Sequence, residues 1–220
     1  MQKKAVIFDM DGVIIDSQPL YYEFDMNMLR QFGVPATIET PIPYSGLTSV
    51  DRMTKYRRDF GLDASVDELI KMSVDSMRDV FLTRELKPID GIPELLSYLQ
   101  DAGLHIGVAS STSHELIEII LKRLDVLDYF EKIISGEDVK EGKPAPDVYL
   151  KAAEAFGLLP SECVAIEDSV MGLRSAKAAG FTCIAYRNRY TQDYSCADYI
   201  VDDFFAVVPL IEKLRGGILC

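Results

Sequence analysis

An α/β fold is predicted for this chain: a doubly wound parallel sheet, interrupted near its start by an all-helical insertion. Three observations predict it. From about residue 88 onward, short apolar runs alternate with amphipathic helical runs. Those short runs are continuously apolar, the pattern of strands covered on both faces. The stretch from about Ser17 to Leu86 instead carries its apolar residues at helical intervals and shows no convincing strand. The 220 residues are enough for one substantial core with a small second domain.

In chain order, Val6, Ile7 and Phe8 read as a buried strand that runs straight into Asp9, Asp11 and Gly12. Tyr21, Phe24, Met28, Leu29 and Phe32 follow at helical spacing until Gly33. Residues 49–61 place Met53, Tyr56 and Phe60 on one helical face. Ser65 and Glu68 form an S-x-x-E capping box before a long helical run. Pro93 to Ala102 is a helix with Gly103 as its stop, and HIGVA at 105–109 is a strand. A helix at 114–124, a strand KIIS at 132–135 and a helix at 146–157 come next. CVAIED at 163–168 is a strand, 169–180 a helix, FTCIAY at 181–186 a strand, and DYIV at 198–201 a last strand before a helix from about Pro209. The resulting partition is 1–16 with 87–220 as the sheet domain and 17–86 as the helical one.

Net charge is −12, which repels phosphate backbones and argues against nucleic acid as a partner. No run is long enough to span a bilayer, and the apolar stretch before Asp9 is too short for a signal peptide, so no membrane association is expected. Cys163, Cys183, Cys196 and Cys220 are widely and irregularly spaced, with only two histidines in the chain, which speaks against a zinc cluster. Cys163 and Cys183 read as small core residues, and a reducing cytoplasm fits best.

Polar residues gather at the predicted carboxyl ends of the strands: Asp9 and Asp11, Ser110, Lys143 beyond KIIS, and Glu167 with Asp168. In open parallel sheets that edge is where ligands bind. Asp9, Asp11 and Asp168 are hard oxygen donors that suit magnesium. One acid can act as nucleophile and another as general acid and base. Ser110, Lys143 and backbone N–H groups near Met10, Asp11 and Ser111 can hold a phosphoryl group, so the set suits phosphoryl transfer. Blander roles compete: a turn at Asp11–Gly12, helix caps at Ser110 and Asp168, and a solvated surface lysine at Lys143. Gly172 and Gly180 read as packing and helix-terminating residues, and His105 as structural. His114 lies close enough to Ser110 to be a substrate candidate.

The segments DMDGVIIDS, VASSTS, GKPAPDVY and AIEDSVMGLRSAKAAG, in this order, resemble the four motifs of the haloacid dehalogenase superfamily. Within it the chain resembles the branch with a helical cap, which includes β-phosphoglucomutases and sugar-phosphate phosphatases. The resemblance implies a Rossmann-like core with an inserted all-helical cap domain. It implies that Asp9 attacks phosphorus to form an aspartyl-phosphate, and that Asp11 protonates the leaving alcohol and then activates water. Asp9, the main-chain carbonyl of Asp11, and Asp168 would bind Mg2+, with Glu167 supporting the metal shell. Ser110 and Ser111 would bind phosphoryl oxygens, and Lys143 would hold Asp9 and the phosphate. Substrate choice would belong to the cap, where Tyr21, Gly46 and Ser49 are the specificity candidates. True dehalogenases of the family lack the second acid and need no metal.

Mutases of this branch carry a histidine where Tyr21 stands and an arginine where Ser49 stands, with Arg52 nearby. They often read SASKNG where this chain reads SSTSHE. The expected protein is therefore a monomeric, cytoplasmic, magnesium-dependent phosphatase for a small phosphorylated metabolite, a sugar or polyol phosphate. A β-phosphoglucomutase-type mutase and a non-catalytic metabolite-binding protein are the alternatives.

Overall fold

The helical periodicity after Ser17 is realised as three helices, α1 (Gln18–Gln31), α2 (Ser49–Phe60) and α3 (Val66–Thr83). They are seen in a computed structural model that describes residues 2–44, 49–188 and 193–216. The chain divides into two compact units, Ser17–Glu85 and the pair Met1–Asp16 with Leu86–Cys220. In the helical unit, α1 turns Met28 and Leu29 onto Met53 and Tyr56 of α2 and Leu69 of α3. The capping box forms as read: Ser65 Oγ accepts from Glu68 N at 3.2 Å, and Glu68 Oε2 accepts from Ser65 N at 2.8 Å.

One acid is buried in this helical core. Asp25 is 2% exposed, accepts from Tyr56 Oη at 2.8 Å and lies 3.4 Å from Arg52 Nε. Burial pushes its carboxyl above the usual carboxylate range, and Arg52 and Tyr56 pull against that.

The other unit holds one sheet of β1 (Ala5–Phe8), β2 (His105–Ser110), β3 (Lys132–Ser135), β4 (Cys163–Glu167), β5 (Thr182–Tyr186) and β6 (Tyr199–Val201). The order is β3-β2-β1-β4-β5-β6 and every pairing is parallel. Such a sheet reverses its winding beside β1, which is where crevices open at carboxyl ends. α4 (Ile92–Asp101), α5 (His114–Arg123), α6 (Asp147–Ala155), α7 (Val170–Ala179) and α8 (Val207–Leu214) complete the unit.

Why β1 is the middle of this unit follows from its residues. All four are 0% exposed, so each side chain meets a covered face. Ala5 and Ile7 share one face with Ala109, Cys163, Ala165, Cys183 and Ala185, against Val148, Ala152 and Ala153 of α6 and Leu173 and Ala176 of α7. Small residues on that face let α6 and α7 lie close to the sheet.

The expected strands and helices all occur. α8 begins at Val207 rather than Pro209, because the Asp203 side chain accepts from Ala206 N at 2.9 Å and starts a 3₁₀ turn, Phe204–Ala206, just ahead of it. Among the described residues, no helix is long and apolar enough to cross a membrane.

Candidate active site

Parallel register brings the strand ends level. Phe8 lies opposite Val108 of β2 and Ile166 of β4. The ladder continues one step, with Asp9 N donating to Ile166 O at 2.9 Å. Asp9 therefore stands beside Glu167, the last residue of β4, and Asp168 follows. The carboxylate oxygens of Asp9, Glu167 and Asp168 offer one atom each within 4.8 Å of one another. The polypeptide then turns sharply: Ile14 N and Ile15 N both donate to Met10 O, and Gly12 takes φ +82°. The turn reading of Asp11–Gly12 thus holds together with a place at the strand edge.

Lys143 reaches into this cluster. Its Nζ donates to Asp9 Oδ1 at 2.8 Å, Glu167 Oε1 at 2.6 Å and Ala109 O at 3.0 Å. An ammonium has three protons, so all three are used. Only 7% of the side chain is exposed, which excludes the solvated-lysine reading. Burial alone would lower the Lys143 pKa, but the carboxylates of Asp9 and Glu167 outweigh it and hold the ammonium charged.

Glu167 is fully buried. Its Oε1 also accepts from Tyr149 Oη at 2.7 Å, and its Oε2 accepts from Ser169 Oγ at 3.2 Å. The carboxyl lies directly over α7, where a Cβ on residue 172 would stand 1.9 Å from Oε1, so only glycine fits.

One lysine does not balance three buried acids. Burial pushes Asp9 up to about 7 against the pull of Lys143. Burial, followed by the charges of Asp9 and Glu167, raises Asp168 well above its usual value. An all-oxygen donor set, crowded and short of positive charge, is the environment a hard divalent cation fits. The residues present therefore suit magnesium.

Asp11 Oδ2 accepts from Thr112 Oγ1 at 2.9 Å, across from the end of β2. Ser110 ends that strand, 1% exposed, with its Oγ accepting from Thr112 N at 3.2 Å. It is not the cap of α5, whose N-cap is Ser113. Nor does Asp168 cap α7: Ser169 does so, its Oγ accepting from Gly172 N at 3.0 Å. The cap positions thus fall on neighbouring serines, with a side-chain hydrogen bond at Ser169 and by position alone at Ser113. Ser111 is exposed beyond the strand end.

The remaining candidates lie elsewhere. Tyr21 belongs to the helical unit, its ring edge-on to Phe81 at 6.3 Å. Ser49 is the exposed first residue of α2, and Gly46 lies outside the described residues. His105 meets Glu131 at 2.9 Å, and His114 Nε2 meets Asp138 Oδ2 at 2.7 Å. Three residues that hold the cluster escape the sequence reading: Thr112, Tyr149 and Asn188, whose Nδ2 donates to Asp168 Oδ2 at 2.5 Å. Thr112 sits in a run of four hydroxyl residues, and Tyr149 is a phenol on a helix face otherwise built of small residues. Those were the available signals. Asn188 has none without the strand order.

The sequence model of one family, described as haloacid dehalogenase-like hydrolase, matches residues 6–186. Protein CbbY of Rhodobacter capsulatus is 30% identical over 219 residues, covering 94% of this chain and 96% of its own. Hexitol phosphatase B of Escherichia coli K12 is 33% identical over 178 residues, covering 80% of this chain and 79% of its own. Among solved structures, CbbY of Rhodobacter sphaeroides in complex with phosphate superposes with a TM-score of 0.80 at 25% identity, covering 92% of this chain and 95% of that one.

Proposed function

Because this chain belongs to the haloacid dehalogenase-like hydrolases and is a phosphatase of that family, we propose that it hydrolyses a small phosphorylated metabolite, a sugar or polyol phosphate, with magnesium and through an aspartyl-phosphate on Asp9. One observation carries the reading: Lys143 fixes Asp9 Oδ1 at 2.8 Å, which leaves the other carboxylate oxygen as the nucleophile.

In the first step that oxygen forms a bond to phosphorus while the bond from phosphorus to the sugar oxygen breaks. Asp11 gives its proton to the departing oxygen. In the second step Asp11 takes a proton from water, the water oxygen bonds to phosphorus, and the bond to Asp9 breaks, releasing phosphate. Ser110 and the backbone N–H groups near Met10, Asp11 and Ser111 hold the phosphoryl oxygens. Asp9, the main-chain carbonyl of Asp11, and Asp168 would hold magnesium, with Glu167 behind them. When bound, the ion supplies neutralisation of charge on the phosphoryl group. Lys143 would hold both Asp9 and the phosphate, and it orients Glu167 as well. The helical unit selects the substrate, with Tyr21, Gly46 and Ser49 as its specificity residues. The free, buried Cys163 and Cys183, their thiols pushed up by burial to about 11 and about 12, suit a reducing cytoplasm. We take the working form to be a monomer.

Phosphate release from a panel of sugar and polyol phosphates tests this. Release is expected in proportion to substrate consumed, to stop with EDTA and to return with magnesium. Asp9→Asn, folded by circular dichroism, is expected to lose at least ~100-fold in turnover. Near-normal turnover of that variant, or isomerisation of sugar phosphates with little phosphate released, overturns the reading.

A further inference from the structure

We propose that Asn188 is a positioning residue that limits Asp168 to one coordinating oxygen and so sets the preference of the site for magnesium over calcium. The inference rests on the metal role given to Asp168 above.

Asp168 has two carboxylate oxygens, and the second is already engaged. Asn188, two residues past the end of β5, donates Nδ2 to Asp168 Oδ2 at 2.5 Å. An amide NH2 can only donate, so it holds that oxygen as an acceptor. Residue 188 is itself pinned: its N donates to Tyr194 Oη at 3.0 Å. Tyr194 packs partly buried on the α6–α7 side of the sheet. On the other side Oδ2 meets the turn after β1, where a Cβ on residue 12 would lie 2.0 Å away. Oδ2 is thus flanked by a pinned donor and a glycine backbone, in a residue only 9% exposed.

The two cations use carboxylates differently. Magnesium takes six ligands in near-octahedral geometry at about 2.0–2.1 Å, and one oxygen per carboxylate satisfies it. Calcium takes six to eight at about 2.3–2.6 Å and often fills its shell with both oxygens of one carboxylate. With Asn188 on Oδ2, bidentate capture would have to break a charge-assisted hydrogen bond inside a closed site. Magnesium loses nothing to this arrangement, because the same hydrogen bond aims Oδ1. A purely structural asparagine would weaken both cations alike when removed.

The test is calorimetric titration of the metal-free full-length protein with magnesium and, separately, calcium. Asn188→Leu keeps similar volume without the donor. Its magnesium Kd is expected to rise by about tenfold or more, the scale on which groups behind metal ligands act. Its calcium Kd is expected to change by less than about threefold, so the ratio of the two moves towards calcium. Equal weakening of both cations, or a magnesium Kd within about twofold of the parent, overturns the proposal. A parent protein that binds no magnesium instead overturns the metal reading on which it rests. The melting temperature of each metal-free variant reports folding. Should the leucine variant not fold, Tyr194→Phe unpins residue 188 while keeping its amide. The ratio is then expected to shift the same way by about two- to threefold, and an unchanged ratio overturns the proposal.

Discussion

At residue 172, helix propensity and packing point in opposite directions. Alanine in place of a helical glycine is ordinarily favourable by about 1 kcal/mol. Here a Cβ would meet the Glu167 carboxyl at 1.9 Å. Glu167 cannot retreat without leaving Lys143 and Tyr149, at 2.6 and 2.7 Å, and its side chain is fully buried. Gly172→Ala is therefore expected to destabilise the protein by about 2 kcal/mol or more, read by urea denaturation. Stability equal to the parent's would mean that Glu167 moves freely. Asp9, Asp11, Ser110, Lys143 and Asp168 were legible in the sequence because each follows a strand signal and the motifs come in a fixed order. Thr112, Tyr149 and Asn188 were not, because their partners lie 101, 18 and 20 residues away and only the folded register brings them together.

At the scale of elements, periodicity carries most of the information and capping chemistry carries the ends. α3 starts where Ser65 and Glu68 exchange hydrogen bonds, at an exposed site where little else competes. Ser65→Ala is expected to cost about 1 kcal/mol, measured by denaturation. A cost near zero would assign the start of α3 to its packing alone. The start of α8 was harder to read, since Asp203 begins a 3₁₀ turn that carries no apolar period of its own. The α1–α2 pairing hides a further feature from sequence: Asp25, on a helix read only for its apolar stripe, turns inward to Tyr56 and Arg52. A lone acid among hydrophobic positions reads as exposed unless its partners on the next helix are known.

For the molecule as a whole, excess negative charge links stability to pH and metal. Burial holds the Asp9 carboxyl up to about 7 in the metal-free fold, and Asp168 is shifted in the same direction. Between the ordinary carboxylate pKa and about 7, the folded chain keeps the Asp9 proton that the unfolded chain has released. That contribution to stability is complete below about pH 4 and is lost as pH rises through 7. A bound divalent cation favours the ionised acids and reverses the trend. The rise in melting temperature on adding magnesium is expected to be larger at about pH 8 than at about pH 5.5. An equal rise at both would detach the metal from these carboxylates. The parallel sheet was legible from its strand–helix alternation, but its order was not, since periodicity marks strands without saying which are neighbours.

That order has a temporal side. β1 lies between β2 and β4, with Ala5 paired to His105 on one flank and Cys163 on the other. A ribosome adds ~5–20 residues each second, so roughly 5 to 20 s pass before the first flank exists and roughly 10 to 30 s before the second. Until then the segment AVIF is an apolar nascent strand with nothing to pair, the kind of surface that chaperones shield. The acids at its end stay separate from those of β4 for the same interval. A ribosome stalled before Cys163 would therefore display the Asp9 strand without the neighbouring strand that brings Glu167 and Asp168 beside it.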